Sequence, residues 1–197
     1  MKKVCVFCGS SMGNDIRYKN AAKGIADFFV KNNLTLVYGG ADVGLMKVLA
    51  DIMLENDKEV IGIMPNTLIE KEVAHKGLTN FIVANSMSER KQKMIDISDG
   101  FIALPGGFGT LDEIFEVMTL NQLRINDKPM GILNTIGYYD FLLSFIDNAV
   151  DSGFIRPEYR DNLIVSAQVN DLMKRMEDYK PLSMTKWIKD IKKESNS

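Results

Sequence analysis

The sequence predicts an α/β protein, a parallel β-sheet with helices packed on both faces. Two observations carry that reading. Short apolar runs alternate along the chain with longer segments of helical periodicity. The runs are apolar throughout, as strands covered on both faces must be. At 197 residues the chain is long enough for one domain with a substantial core, read here as residues 1–188, followed by a polar tail over 189–197.

The elements follow in order. Residues 4–8 form the first strand; Lys2 and Lys3 precede an apolar patch, but it stops at Gly9-Ser10, far short of a secretory leader. Residues 15–32 form a helix with Ile16, Ala22, Ile25, Ala26 and Phe29 inward. A strand over 34–38 ends at Gly39-Gly40, and a helix over 43–55 comes next. The strand over 59–64 is stopped by Pro65. Residues 80–83 form a strand, 86–97 a helix, 100–104 a strand and 110–124 a helix. Strands over 129–133 and 163–165 enclose a helix over 138–152.

Composition narrows the function. Hydrophobic residues make up 46% and charged residues 25%, the balance of a soluble globular protein, and with neither a leader nor a membrane span read the cytoplasm is the expected default location. A net charge of −2 gives no electrostatic reason for nucleic acid or an anionic membrane as partner, and no apolar run is long enough to span a bilayer. Cys5 and Cys8 have a C-x-x-C spacing, but on a strand they point to opposite faces. A zinc site would need two further ligands, and the chain offers one histidine. Both are read as reduced core thiols, and no metal or cofactor is expected.

In parallel sheets ligands sit at the carboxyl ends of strands, where the strand order reverses. Three small-residue loops share that rim: Cys8-Gly9-Ser10-Ser11, Tyr38-Gly39-Gly40-Ala41-Asp42-Val43-Gly44 and Pro105-Gly106-Gly107-Phe108-Gly109-Thr110. The third opens a helix, whose first N–H groups lack internal partners and attract a phosphate. Glycines let a phosphate oxygen approach without meeting a Cβ. None of the loops is a P-loop, and the second only loosely echoes G-x-G-x-x-G. Gly39-Gly40 also has a plain reading as turn chemistry.

Glu113 has two readings. Thr110-x-x-Glu113 fits a capping box, whereas a carboxylate beside a phosphate site suits chemistry on the ligand. Asp112 is read as an exposed residue favouring the helix dipole. Ser86-Met87-Ser88-Glu89-Arg90-Lys91 starts a helix on the same rim; Arg90 and Lys91 either meet the ligand or form a solvated basic turn. His75 reads as a surface or interface residue.

Pro105-Gly106-Gly107-Phe108-Gly109-Thr110-Leu111-Asp112-Glu113 resembles the PGGxGTxxE motif of the Lonely Guy family, and Met87-Ser88-Glu89-Arg90-Lys91 resembles its MxxRK element. The segments over 4–11, 37–40 and 43–46 are similar to further blocks, so the resemblance runs from 4 to about 116 and continues in character over 131–154. It implies a Rossmann-like, doubly wound fold and a phosphoribohydrolase that cleaves the N-glycosidic bond of cytokinin riboside 5′-monophosphates, or of purine nucleoside monophosphates such as AMP. It also implies a homodimer with the active site near the interface. Members are often labelled lysine decarboxylases, but nothing in this chain marks a pyridoxal phosphate lysine.

The residues rationalise the hydrolysis. Glycosidic cleavage builds positive charge on the sugar, which a carboxylate at Glu113 would stabilise while orienting water. Arg90 would bind ligand and balance charge. Phosphate and substrate contacts are expected from Gly9, Ser10, Gly39, Gly40, Gly44, Met87, Lys91, Pro105, Gly106, Gly107, Gly109 and Thr110. Met12, Met46, Met87 and Met94 are candidate apolar liners, and Met118, Leu120 and Leu123 candidate interface residues; both groups also fit core packing. The competing function is a non-catalytic nucleotide or cofactor carrier on the same fold, which would not need the Arg90 and Glu113 pair.

Overall fold

The computed structural model describes residues 1–69 and 74–182, so the expected tail over 189–197 lies outside the described residues. Its centre is a seven-stranded parallel sheet in the order β4-β3-β2-β1-β5-β6-β7. The strands are β1 (Lys3–Phe7), β2 (Thr35–Tyr38), β3 (Val60–Pro65), β4 (Asn80–Ala84), β5 (Gly100–Ala103), β6 (Met130–Leu133) and β7 (Ile164–Ser166). From β1 the chain steps outward through β2, β3 and β4, then returns to lay β5 on the other side of β1. The order therefore reverses between β1 and β5, and the fold is the expected Rossmann-like, doubly wound one.

Helices cover both faces. On one lie α1 (Ile16–Asn32), α2 (Gly44–Glu55) and α8 (Val169–Glu177), packed on Val4, Val6, Cys8, Leu36 and Tyr38. On the other lie α4 (Met87–Ile97), α5 (Phe108–Gln122) and α6 (Asp140–Asp151), packed on Cys5, Phe7, Val37, Phe101 and Ala103. Cys5 and Cys8 thus face opposite layers, both free and buried, as their strand spacing requires. Among the described residues no helix is long and apolar enough to cross a membrane.

α1 shows how local sequence sets an element. Asp15 caps its start by accepting from Arg17 N–H at 2.8 Å, and Asn33 ends it in the left-handed region at φ 52°. Ala22, Ile25, Ala26 and Phe29 recur every three or four residues and are buried. Ile16, expected inward, is 66% exposed: six residues before Ala22, it falls on the far side of that stripe.

The other expected elements recur with ends shifted by a residue or two. Four were not expected: α3 (Asn66–Ile69), a 3₁₀ turn (Thr135–Gly137), α7 (Pro157–Asp161) and α8. Three of them are five residues or shorter, and such pieces carry no periodicity. α8 buries only Leu172, Met173 and Met176, against β6 and β7, on an otherwise polar helix.

Phe29 is fully buried between α1 and the sheet. Phe29→Ala is expected to lower unfolding free energy by about 3–5 kcal/mol in urea titration with an unchanged slope; a loss under about 1 kcal/mol would contradict this packing.

Candidate active site

β1 and β5 run side by side, so the loops after them meet. Gly9 N–H donates to Pro105 O at 3.0 Å, and Leu104 N–H to Phe7 O at 2.9 Å. The turn after β5 then opens α5 with Gly107 as N-cap. A Cβ at Gly106 would collide with Thr110 Oγ1 and crowd Gly9 N, so only glycine lets the turn sit this close to β1. Beside Gly107 and Gly109 the space is open.

α4 enters the same rim from the other side of β5. Ser86 caps it, accepting from Glu89 N–H at 3.1 Å, and Glu89 reaches back to Asn85 N–H at 2.7 Å. This start delivers Arg90 to the cleft. Its Nε donates to Ile63 O at 3.0 Å and its Nη1 to Glu113 Oε1 at 3.1 Å. Its Nη2 lies against Gly39, where any side chain would collide with it. Three elements therefore fix one guanidinium.

Glu113 lies on the buried side of α5, 8% exposed. Burial pushes its carboxyl up to about 7, and the Asp112 charge adds to the rise; Arg90 and Lys91 oppose it. Because α5 begins at Phe108 and Glu113 turns to Arg90, the capping-box reading does not hold. Asp112 is paired rather than free at the helix start: Lys91 Nζ bridges Asp112 Oδ2 and Glu116 Oε2, each at 2.9 Å.

Arg90, Glu113, Gly9, Ser10, Gly39, Met87, Gly107, Gly109 and Thr110 line one cleft of about 240 Å³, with Met46, Leu68 and Met94 as apolar wall. Other expected contacts are placed elsewhere. Lys91 is held in the α4–α5 bridge. Gly40, at φ 81°, packs on the backbone of Gly62 and Ile63. Gly44, at φ 56°, abuts Ser10, and the next residue, Leu45, donates to Gly9 O at 3.1 Å. Both glycines shape the loop. Pro105 and Gly106 line an adjoining cavity of about 270 Å³ with Met12, Tyr18 and Tyr138. Leu68 escaped sequence reasoning because the four-residue α3 leaves no pattern.

His75 is not a free surface residue. Its Nδ1 accepts from Gly77 N–H at 3.2 Å and its Nε2 lies 3.0 Å from Asp51 Oδ1. Asp42, Asp51 and His75 bring three potential metal-ligand atoms within 4.8 Å of one another. The Lys47 ammonium, bonded to Asp42, already supplies a cation there.

The model of a family described as possible lysine decarboxylase matches residues 46–176. The chain is 46% identical over 180 residues to the cytokinin riboside 5′-monophosphate phosphoribohydrolase LOG1 of Arabidopsis thaliana, covering 91% of this chain and 84% of that protein. It is 43% identical over 191 residues to the probable cytokinin riboside 5′-monophosphate phosphoribohydrolase LOGL2 of Oryza sativa subsp. japonica, covering 94% and 78%. Among solved structures, the molybdenum cofactor binding protein of Rippkaea orientalis has a TM-score of 0.66 at 20% identity, covering 90% of this chain and 97% of that one. At that identity the likeness is one of fold.

The raised carboxyl predicts a pH-dependent stability. With its folded value near 7 against the ordinary 4.5, Glu113 favours the folded state in its neutral form. That contribution is complete below pH 4.5 and lost as pH rises through 7. Glu113→Gln is therefore expected to match wild type at pH 4 and exceed it by about 3 kcal/mol at pH 8 in urea denaturation. An equal difference at both pH values would rule this out.

Proposed function

The chain belongs to the family of the cytokinin riboside 5′-monophosphate phosphoribohydrolases, and on that premise we propose that it hydrolyses the N-glycosidic bond of purine riboside 5′-monophosphates, N6-substituted ones included. The products are free base and ribose 5-phosphate. The observation that carries this reading is the Arg90–Glu113 pair beside the open N-terminal turn of α5.

In this reading each group has a task. The N–H groups at the start of α5 and the helix dipole hold the 5′-phosphate. That sets the sugar beside Glu113. As the bond to the base lengthens, the sugar becomes a cation, and the ionised Glu113 carboxylate stabilises it and orients the attacking water. A carboxyl titrating near 7 is poised between holding and taking a proton at neutral pH. Arg90 binds ligand and favours the ionised form of Glu113. Met46, Leu68, Met87 and Met94 form an apolar end suited to the base and its substituent. Decarboxylation with pyridoxal phosphate would need a lysine in the cleft. None lines it among the described residues.

We further propose that the chain works as a homodimer whose interface lies near the cleft. Supporting this, Phe108 lines the cleft and is 92% exposed, Phe115 is exposed on the same helix, and Leu123 is exposed at its C-terminal cap. Met118 joins Phe115 in a groove of about 150 Å³ between α5 and the α6–α7 segment. The cytoplasm, where Cys5 and Cys8 stay as thiols, is the proposed compartment.

Incubation with AMP and with isopentenyladenosine monophosphate, followed by chromatography, is expected to show release of free base. Glu113→Gln should bind AMP within about threefold of wild type while its turnover falls at least about 100-fold. Wild-type binding without base release would instead mark a nucleotide carrier. Sedimentation should give twice the 22.1 kDa chain mass, and Phe115→Asp should shift it toward monomer; a wild-type monomer at micromolar concentration would refute the dimer.

A further inference from the structure

Three successive carbonyls of the turn after β5 are each held by a separate donor. Leu104 O accepts from Tyr139 Oη at 2.7 Å, Pro105 O from Gly9 N–H at 3.0 Å, and Gly106 O from Tyr138 Oη at 2.6 Å. The chain contains no cis peptide among the described residues, so each C=O and the following N–H point in opposite directions. Holding the Gly106 carbonyl on the Tyr138 side therefore turns the Gly107 N–H the other way. Two adjacent glycines have the freedom to flip that peptide plane, and a flip would put a carbonyl oxygen where the N–H had been. An anion would then meet a negative dipole.

The Tyr138 side chain is itself closely positioned. Just before it Ile136 and Gly137 sit in the left-handed region at φ 50° and 74°. For a β-branched residue such as Ile136 this conformation is strained. Asn134 secures the turn, accepting from Tyr139 N–H at 2.8 Å and donating to Asp140 Oδ1 at 2.7 Å. The Tyr138 ring packs edge-on against Tyr18 and Tyr139, with centroids 5.6 and 4.9 Å away. The ring is thereby fixed by packing, while the residue as a whole stays 41% exposed. Its hydroxyl is not needed to satisfy a buried core.

We propose that Tyr138 is a positioning residue that selects the phosphate-accepting orientation of the Gly106–Gly107 peptide, an inference that rests on the phosphate site assigned above. Tyr139 fixes the preceding Leu104 carbonyl in the same manner from within the core, where it is 1% exposed. Sequence motifs did not reveal the link, because Tyr138 lies 32 residues beyond the carbonyl it holds.

Tyr138→Phe isolates the hydroxyl, since the ring contacts with Tyr18 and Tyr139 remain. Calorimetric titration of ribose 5-phosphate, ribose and adenosine into wild type and variant tests the assignment without requiring turnover. Loss of one hydrogen bond predicts about fivefold weaker ribose 5-phosphate binding, with adenosine affinity and thermal midpoint essentially unchanged. With AMP as substrate, KM should rise by a similar factor and kcat should hold, as expected for a contact remote from the reacting bond. Unchanged ribose 5-phosphate binding in a variant whose wild type prefers it to ribose overturns the role of Tyr138 alone. Equal weakening of ribose 5-phosphate and adenosine also overturns it, showing a structural role. Wild type that binds ribose 5-phosphate no better than ribose removes the phosphate site itself, and this inference with it.

Discussion

The site depends on the parallel pairing of β1 with β5. Four register partners, from Val4 with Gly100 to Phe7 with Ala103, bring together strands nearly a hundred residues apart in sequence. The pairing continues past the strand ends through the bond from Gly9 to Pro105. Neither loop makes the cleft alone. Gly9 and Ser10 come from one half of the winding, Gly107 to Thr110 from the other, and they meet because the strand order reverses there. The helices on either side of β5 complete the arrangement. α4 arrives just before β5 and α5 leaves just after it, both on the same face, so Arg90 and Glu113 meet directly at 3.1 Å.

That confrontation costs stability and leaves a carboxyl of raised proton affinity in the cleft. A buried carboxylate loses its hydration, and one guanidinium recovers only part of the loss. Glu113 therefore rises toward neutrality instead of falling, as a surface carboxylate beside an arginine would. An apolar residue of similar volume would pack there at lower cost. A buried carboxyl of intermediate proton affinity in a cleft fits the role proposed for it better than a role in folding.

The sheet and the cleft floor were legible in the sequence because their signals are local. Apolar strands and glycines at strand ends occupy short windows whose chemistry reads directly, whereas Arg90 and Glu113 each keep a structural reading in sequence until the fold brings them to 3.1 Å. The roles of neighbouring residues were less legible. Lys91 follows Arg90 in sequence and was expected beside it in the ligand site. On a helix, however, successive side chains diverge by about 100°. Arg90 points into the cleft and Lys91 to Asp112 and Glu116. Likewise Glu113 matches a capping box at the right spacing, and the helix start at Phe108 together with the bond from Arg90 excludes that role. Leu68 and Tyr138 were illegible for another reason, since each reaches the site through tertiary contact from a segment without periodicity.

Lys91 nevertheless bears on the geometry of the pair. Its two carboxylate partners lie four residues apart on α5, one turn of the same face, with Glu113 between them in sequence. The bridge thus ties α4 to α5 on both sides of the level at which Arg90 meets Glu113. Its side chain is only 16% exposed, so water screens these contacts less than on an open surface. Two long charged side chains placed in a cleft would otherwise sample many rotamers. With the helices tied beside them, and Arg90 further held by Ile63 O and the bare backbone of Gly39, the pair is confined to one geometry before any ligand arrives. The hydrolysis proposed above would require such confinement, because a carboxylate that must reorganise as a sugar cation forms gives back much of what it stabilises.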